Sequence, residues 1–315
     1  MARIWTRRQF LQWAGMAAAG ATLLGSGCSS EGVASEAQRI AVPPTEGQPY
    51  LVVAHGGDAA AITEQAIARL GGIGRFVKSG ADVIIKPNIC VDYNPPEYAA
   101  TTNPVVVATL VRLCIGAGAK RVRVMDMPFG GTAESAYEIS GIAEATASAG
   151  GQMELMNDAK FVTMPIPEGR SLQSWLIYRD IMDADVVINV PIAKHHSQAR
   201  LSLGMKNLLG VAKSPNRLHN DLGQNIADLA SLVRPTLTIV DAVRILTAHG
   251  PTGGSLNDVV QADTLIASHD FVAADAWAAT LFGLQGTDVP FVKAAADMAL
   301  GVIDLGSVEI DEFSL

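Results

Sequence analysis

Cysteine is scarce in this chain, and its arrangement excludes several kinds of cofactor site. The 315 residues include three cysteines, Cys28, Cys90 and Cys114, and no C-x-x-C pair occurs. A cysteine-bound zinc ion or iron–sulfur cluster is therefore disfavoured. Cys90 and Cys114 both lie in apolar sequence, which predicts two buried thiols; a disulfide formed in an oxidising compartment is the alternative.

The glycine-rich segments lack the features of a nucleotide-binding loop. Residues 250–254 (GPTGG) could form a backbone nest for an anion, but they lack the Gly-Lys-Ser or Gly-Lys-Thr ending of a phosphate loop. Residues 116–118 (GAG) precede an apolar run instead of following one, which is typical of a helix end. The sequence therefore predicts no dinucleotide cofactor.

Basic residues are few in comparison with acidic ones. The chain has 23 Lys and Arg against 31 Asp and Glu. Arg3, Arg7 and Arg8 precede Cys28 and no acid does, so the chain beyond Cys28 has 20 basic and 31 acidic residues, a net charge of −11. Such a surface disfavours a nucleic-acid partner, because phosphates require a basic face.

The first residues resemble a twin-arginine signal peptide, which is an export address read by a receptor. Arg7 and Arg8 are followed by Phe10 and Leu11, and the stretch from Gln9 to residue 30 is uncharged and only mildly apolar. This pattern predicts the twin-arginine export machinery as a partner. A retained membrane helix is the alternative, and the mild hydrophobicity disfavours it.

The end of the signal has two interpretations. Residues 23–28 (LLGSGC) resemble a lipoprotein cleavage site with Cys28 as the lipidated residue, whereas 35–37 (SEA) has the small-x-small form of an ordinary cleavage site. The lipoprotein interpretation predicts a signal peptide over 1–28, a flexible tether over 29–48 and a single α/β domain over 49–315. The protein is then expected on the periplasmic side of the bacterial inner membrane or in the cell envelope, anchored by lipid.

Apolar, β-branched runs alternate with amphipathic stretches from residue 50 onward. This alternation predicts an α/β fold, with a mostly parallel or mixed sheet flanked by helices. The predicted strands are 50–54, 82–86, 121–126, 152–156, 161–164, 185–190, 236–241 and 264–267. The predicted helices are 59–70, 103–115, 134–149, 171–182, 220–233, 270–282 and 290–300.

Four of the predicted strands end in, or lead into, uncommon polar side chains. These side chains are Lys86, Asn88, Asp126, Lys194, His195, His196 and Asp241. In open α/β sheets, ligands bind outside the carboxyl ends of the strands. If the four strands are parallel neighbours, their polar ends meet at one edge and form a site; otherwise each one only marks where a strand reaches water.

Four of the six histidines lie between residues 195 and 249. Adjacent residues of an extended chain point to opposite sides, so His195 and His196 cannot both face one site. One of them could act as a general base, since histidine titrates near neutrality. A divalent metal ion is the alternative, with His219 and His249 as candidate ligands, although the chain has no H-E-x-x-H motif.

Basic residues are concentrated between 194 and 217 in an otherwise acidic chain. Lys206 and Asn207 interrupt an apolar run (GMKNLLG, 204–210). This local excess of positive charge predicts a small anionic ligand such as a carboxylate or phosphate; a solvated helix face is the alternative. Asp275 lies in a second apolar run, and we predict that it is buried with a partner, because an unpartnered buried carboxylate is costly.

Taken together, these motifs resemble the domain of unknown function 362 family. The motifs are Ile85-Lys86-Pro87-Asn88, Thr101-Thr102-Asn103-Pro104, Lys194-His195-His196, residues 204–210, His219, Val240-Asp241, Gly250-Pro251 and Ala273-Ala274-Asp275-Ala276. The resemblance spans about residues 80–300 and implies an α/β domain without an established biochemical role. Some relatives carry a ferredoxin-like cysteine segment that this chain lacks, so the resemblance does not support electron transfer.

The sequence thus predicts an exported enzyme that acts on a small anionic substrate. The predicted substrate-binding residues are Lys86, Asn88, Lys194, Lys206 and Asn207. The predicted catalytic residues are His195 or His196 as general base or metal ligand, and Asp126 or Asp241 to orient the histidine. The alternatives are a non-catalytic, periplasmic anion-binding lipoprotein and a redox protein that receives its cofactor before export.

Overall fold

A computed structural model describes residues 47–315 of the chain. The predicted signal peptide, Cys28 and almost all of the predicted tether lie outside the described residues.

The strands are β1 (Leu51–His55), β2 (Asp82–Pro87), β3 (Arg121–Val124), β4 (Gln152–Met153), β5 (Phe161–Pro165), β6 (Ser174–Tyr178), β7 (Val186–Val190), β8 (Ile192–His196), β9 (Arg200–Ser202), β10 (Leu237–Leu246), β11 (Val259–Ser268) and β12 (Ile310–Ser314). The α-helices are α1 (Ala59–Arg69), α2 (Pro104–Gly116), α3 (Ala133–Ile139), α4 (Ile142–Ser148), α5 (Arg179–Asp183), α6 (Gly204–Asn207), α7 (Leu222–Val233), α8 (Phe271–Ala279) and α9 (Pro290–Asp297).

Ten of the strands within residues 47–315 form one mixed sheet. Its order is β12-β1-β11-β10-β7-β2-β3-β4, and β8 extends it beside β10 with β9 next to β8. The stretch from β10 to β4 is parallel, whereas β11 pairs antiparallel with both β10 and β1. The predicted α/β class with a mixed sheet is therefore confirmed. β5 and β6 form a separate antiparallel pair.

Helices cover both faces of the sheet and create two hydrophobic cores. α1 and α2 bury their apolar faces in one core, and α7, α8 and α9 bury theirs in the other. Side chains alternate along a strand, so Ile84 enters one core and Ile85 the other. Burial on both faces explains why the strands appear in the sequence as near-continuous apolar runs.

The four strands with predicted polar ends are consecutive neighbours in the sheet. β10, β7, β2 and β3 lie side by side and run parallel, so their carboxyl ends share one edge. The condition left open by the sequence, that these strands are parallel neighbours, is therefore met. β8 continues directly from β7 at this edge and carries Lys194, His195 and His196.

Several element boundaries differ from the prediction for identifiable reasons. The predicted helix over 171–182 is wrong: its residues form β6, which pairs with β5, and the short α5. The predicted helix over 134–149 is divided into α3 and α4 at Gly141, where φ is +69° and favours glycine. β10 continues to Leu246, so Asp241 lies inside its strand and not at the end.

The described helices carry no membrane-crossing candidate. No helix within residues 47–315 combines the length and the hydrophobicity needed to span a bilayer.

Candidate functional site

A cavity of about 270 Å³ lies where the carboxyl ends of β2, β3 and β8 meet α6. Its polar lining includes Asn88, Cys90, His196, Lys206, Asn207 and His219. Most of these side chains come from segments that directly follow a strand, which is where α/β sheets bind ligands. Three lysines, Lys86, Lys194 and Lys206, approach this region from β2, β8 and α6, and their partners differ.

Lys86 is fully buried, and acceptors surround its ammonium. Its Nζ donates to Asp126 Oδ1 at 2.7 Å, to Pro87 O at 3.0 Å and to Asn207 Oδ1 at 3.1 Å. Asp126 also accepts a hydrogen bond at Oδ2 from the Ile89 backbone N–H at 2.6 Å. Burial lowers the pKa of Lys86, and the Asp126 carboxylate opposes that effect. Because all its donors are used, Lys86 holds the strand ends together.

Lys194 is also buried, but it has no carboxylate partner within residues 47–315. Its Nζ donates to Ala100 O at 2.6 Å, to Asn88 Oδ1 at 2.9 Å and to Cys90 Sγ at 3.3 Å. Its three donors are satisfied, whereas its positive charge is uncompensated. An uncompensated positive charge therefore lies behind Cys90 and Asn88 of the cavity lining.

Lys206 differs from both of these lysines. It is partly buried and lines the cavity, and in the described part of the chain its Nζ has neither a hydrogen-bond acceptor nor a carboxylate partner. Burial and the nearby Lys194 ammonium lower the pKa of Lys206 to about 8. Lys206 thus presents unused N–H donors and an easily deprotonated amine to the cavity.

Asp275 holds the short helix that carries Lys206. This buried carboxylate of α8 accepts from the backbone N–H groups of Gly204 at 2.6 Å and Met205 at 2.9 Å. Burial raises the pKa of Asp275 to about 7, opposed by the two backbone donors. A Cβ on Gly204 would lie 2.7 Å from Asp275 Oδ1, so the motif requires glycine here. The prediction of a buried, partnered Asp275 agrees with these contacts.

Asn207 joins the lysine helix to the strand ends. Its Oδ1 accepts from Lys86 and from Asn88 Nδ2 at 3.0 Å, and its Nδ2 donates to Asn189 Oδ1 at 2.9 Å. A Cβ on Gly210 would lie only 2.0 Å from Asp126 Oδ1, since the chain passes directly over the Lys86–Asp126 pair. In the sequence GMKNLLG, Gly204 and Gly210 thus let the backbone pass close to Asp275 and Asp126. The same segment supplies Lys206 and Asn207 to the site.

His196 faces the cavity as a neutral ring. Its Nδ1 accepts hydrogen bonds from the backbone N–H groups of Gln198 and Ala199, both at 3.1 Å, which assigns the proton to Nε2. Burial, with the Lys206 charge second, lowers the pKa of His196 to about 3. At neutral pH this side chain therefore supplies an N–H donor. His195 points elsewhere: it does not line the cavity, and its Nδ1 accepts from Gly250 N at 3.2 Å.

The two predicted orienting aspartates contact no histidine among the described residues. Asp126 is paired with Lys86, as described above. Asp241 accepts from the backbone N–H groups of Asn103 at 2.7 Å and Val243 at 3.1 Å, which fixes the start of α2. Burial raises the pKa of Asp241 to about 6, against those two donors. Asp241 therefore holds the neighbouring backbone in place, and it does not line the cavity.

The structure separates the two predicted metal ligands. His219 lines the cavity, with its Nδ1 3.0 Å from Asn216 O, whereas the His249 side chain is 79% exposed and contacts Asp258 at 2.8 Å. Within residues 47–315, no three His, Cys, Asp or Glu side chains are grouped closely enough to hold a metal ion.

Sequence reasoning missed several side chains of the cavity, among them Cys90, Gln198 and Asn216. Cys90 was predicted only as a buried thiol; both it and Cys114 are buried and unpaired, but Cys90 also accepts from Lys194 and lines the cavity. Gln198 and Asn216 line it as well. The position of Cys90, two residues after Asn88 at a strand end, was the available signal for its role.

The fold and this site define an α/β protein with a lysine-rich cavity at the carboxyl edge of its parallel strands. Residues 83–280 match the family described as Domain of unknown function (DUF362), which covers more than half of the chain. The chain therefore belongs to the DUF362 family, and the matched region contains every lysine of the site.

A curated relative and two solved structures are similar to this chain. The thylakoid-associated protein sll1697 of Synechocystis sp. is 29% identical over 246 residues, covering 73% of this chain and 72% of the relative. The lactate racemase apoprotein of Thermoanaerobacterium thermosaccharolyticum is 14% identical with a TM-score of 0.43, covering 70% of this chain and 54% of that one. A protein of Thermotoga maritima is 15% identical with a TM-score of 0.43, covering 71% and 58%. The chain thus spans little more than half the length of these solved structures.

Proposed function

We propose that the cavity binds a small carboxylate anion as the substrate site of an exported enzyme. The single observation that carries the proposal is the contrast among the lysines: Lys86 and Lys194 have three acceptors each, and Lys206 has none within residues 47–315. A charged donor that lines a cavity without a protein acceptor is available to bind a ligand. An anion in the cavity supplies the missing acceptor.

The electrostatics of the cavity support an anion. Lys194 and Lys206 contribute positive charge, whereas Asp126, the one acid that residues 47–315 place in the lining, is already paired with Lys86. The neutral His196 offers its Nε2–H, which donates to an anion without a need for protonation. Low-dielectric walls strengthen these interactions and concentrate anions at the site.

The size and the donor set are compatible with a small carboxylate. A cavity of about 270 Å³ has room for a small organic anion. Lys206 and His196 offer two kinds of donor to two carboxylate oxygens.

The enzymatic part of the proposal depends on Lys206. A lysine with a pKa lowered toward neutrality by burial and by another cation, lying in a cavity, is a recurrent feature of active sites. Surface lysines that only attract anions have no need of such an environment. Lys206 is therefore the residue to which we assign the chemistry, with His196 as a hydrogen-bond donor.

Calorimetric titration of the purified protein with lactate, pyruvate and inorganic phosphate tests the binding proposal. We expect lactate or pyruvate to bind, and the Lys206→Ala variant to lose about 10- to 100-fold in affinity, the value of a hydrogen bond to a charged group. Lys293→Ala is the matched control, since Lys293 is an exposed lysine of α9 paired with Asp297. Wild-type affinity in Lys206→Ala, or binding of phosphate alone, contradicts the proposal.

Export and lipid attachment complete the proposed function. The Arg7-Arg8 pair and Cys28 support them, and the relative named as thylakoid-associated is in keeping with a location at a membrane. Replacing both arginines by lysine should leave the protein in the cytoplasmic fraction of a bacterial host. Cys28→Ala should abolish labelling by a radioactive fatty acid; unchanged fractionation or labelling contradicts the respective assignment.

A further inference from the structure

The cavity presents one lysine whose amine is free to react. The ammonium groups of Lys86 and Lys194 are enclosed by three acceptors each, one of them the Asp126 carboxylate in the case of Lys86. Lys206 lines the open space with no acceptor among the described residues. Resting on the proposed function, we propose that Lys206 forms a covalent imine with the carbonyl carbon of a small 2-oxo acid.

Imine formation requires a neutral amine, and the surroundings of Lys206 favour that form. Neighbouring cations and burial both disfavour an ammonium, and such surroundings are what activates a nucleophilic lysine. With a pKa of about 8, roughly half of the Lys206 side chains are neutral at pH 8, compared with about one in several hundred for an unperturbed lysine. A site that only captures anions would gain nothing from this environment.

The remaining polar groups suit the carboxylate of the same substrate. His196 contributes its Nε2–H, and Asn88, which also lines the cavity, has one amide N–H left after its bond to Asn207. The charge of Lys194 lies behind these donors, and its own N–H groups are satisfied. The carboxylate and the carbonyl of a 2-oxo acid are adjacent, so one small molecule could engage both the donors and the amine.

The proposed step balances without an oxidant or reductant. The lone pair of Lys206 Nζ attacks the carbonyl carbon and forms a C–N bond, while the carbonyl π electrons move to oxygen. That oxygen receives one proton from the amine and one from solvent, and the C–O bond breaks with release of water. The product is an iminium, C=N⁺–H, which leaves the carbon next to it more acidic and the carboxylate more easily lost.

Reductive trapping tests this proposal on the purified full-length chain. The protein is incubated at pH 8 with pyruvate, glyoxylate or 2-oxobutanoate and cyanoborohydride, digested, and examined by peptide mass spectrometry. We expect the reduced adduct on Lys206 to exceed that on the exposed Lys293 by at least about tenfold, because of the activated amine. Lactate has the same charge and similar size but no carbonyl, so it should compete for the site without labelling it.

Lys206→Arg separates the imine from simple anion binding. Arginine keeps the positive charge but is not a nucleophilic amine, so this variant should still bind lactate and should lose the adduct. Its thermal unfolding verifies that it is folded. Pyruvate binding without a Lys206 adduct would overturn the imine and leave the proposed function intact. Equal labelling of Lys206 and Lys293 would also overturn the imine, and failure of the wild-type protein to bind any carboxylate would overturn both proposals.

Discussion

Two clusters of charged side chains in this protein contain the same number of cations but differ in their balance. Near the starts of β2 and β3, Arg121, Arg123 and Lys160 interact with Asp82, Glu154 and Asp180 at 2.5–3.2 Å. At the carboxyl edge, Lys86 is paired with Asp126, whereas Lys194 and Lys206 have no carboxylate partner among the described residues. In the part of the chain that the structure describes, the first cluster thus has three acids for three bases, and the second has one.

This difference in charge balance indicates a structural role for the first cluster and a binding role for the second. Arg123 is 3% exposed, yet three carboxylates compensate its charge, and these contacts raise its pKa against the effect of burial. The environment of Lys206 lowers the pKa instead. Folding alone gives no reason to gather uncompensated cations in a cavity, because buried charge is costly without a partner. An external anion would balance the charge of the second cluster, whereas the charges of the first cluster balance one another.

Removing one carboxylate from each cluster should change the free energy of unfolding by very different amounts. Asp126→Ala leaves Lys86 as an uncompensated buried cation, so we expect a loss of about 3–5 kcal/mol in the free energy of unfolding. Glu154→Gln leaves Arg123 with two carboxylates in a partly exposed cluster, and we expect a loss below about 1 kcal/mol. Urea denaturation measures both values. Equal losses would contradict the contrast between the clusters.

Asp275 tests whether the lysine helix is held by the neighbouring helix α8. Asp275→Ala removes the acceptor of two buried N–H groups, and we expect a loss of about 1–3 kcal/mol in unfolding free energy with weaker lactate binding. Asp275→Asn keeps one acceptor and should be intermediate in both measurements. Normal lactate affinity in a folded Asp275→Ala protein would show that α6 does not depend on this carboxylate.

The pH dependence of binding sharpens the assignment of Lys206. Lys206 is a cation below its pKa of about 8, so lactate affinity should be full below pH 8 and fall roughly tenfold per unit above it. Among the charged groups around the cavity, Lys86 is paired with Asp126, and His196, with a pKa of about 3, stays neutral throughout. Calorimetry between about pH 6.5 and 9.5 measures this, and Lys206→Arg should bind independently of pH. A flat wild-type profile would exclude Lys206 as the anion's partner.

Many residues of the site could be predicted from the sequence, because the sequence shows which polar residues follow each apolar strand. Alternating strands and helices with polar residues at the junctions indicated where Lys86, Asp126 and Lys194 would lie if the strands were neighbours, and the structure supplies that adjacency. The lysine-bearing motif at 204–210 was recognisable because polar residues interrupt an apolar run.

The remainder depends on contacts that are distant in the chain. Asp275 reaches the backbone of Gly204 across 71 positions, and no local pattern encodes that pairing. The tautomer of His196 is set by two backbone donors in the following turn, and its neutral state by burial, neither of which the sequence reveals. Likewise, part of the segment 171–182, predicted as a helix, forms the strand β6, because pairing with β5 outweighs its local helix propensity.

The stability of Lys206→Met is the most direct test of the central claim that Lys206 is present for a ligand and not for the fold. Methionine preserves length and removes the uncompensated charge. In the absence of ligand, we expect the variant to unfold at a higher urea concentration than the wild type, with a gain of about 1 kcal/mol, and to lose lactate binding. A loss of more than about 1 kcal/mol in the free energy of unfolding would show that Lys206 supports the fold, and would contradict the account.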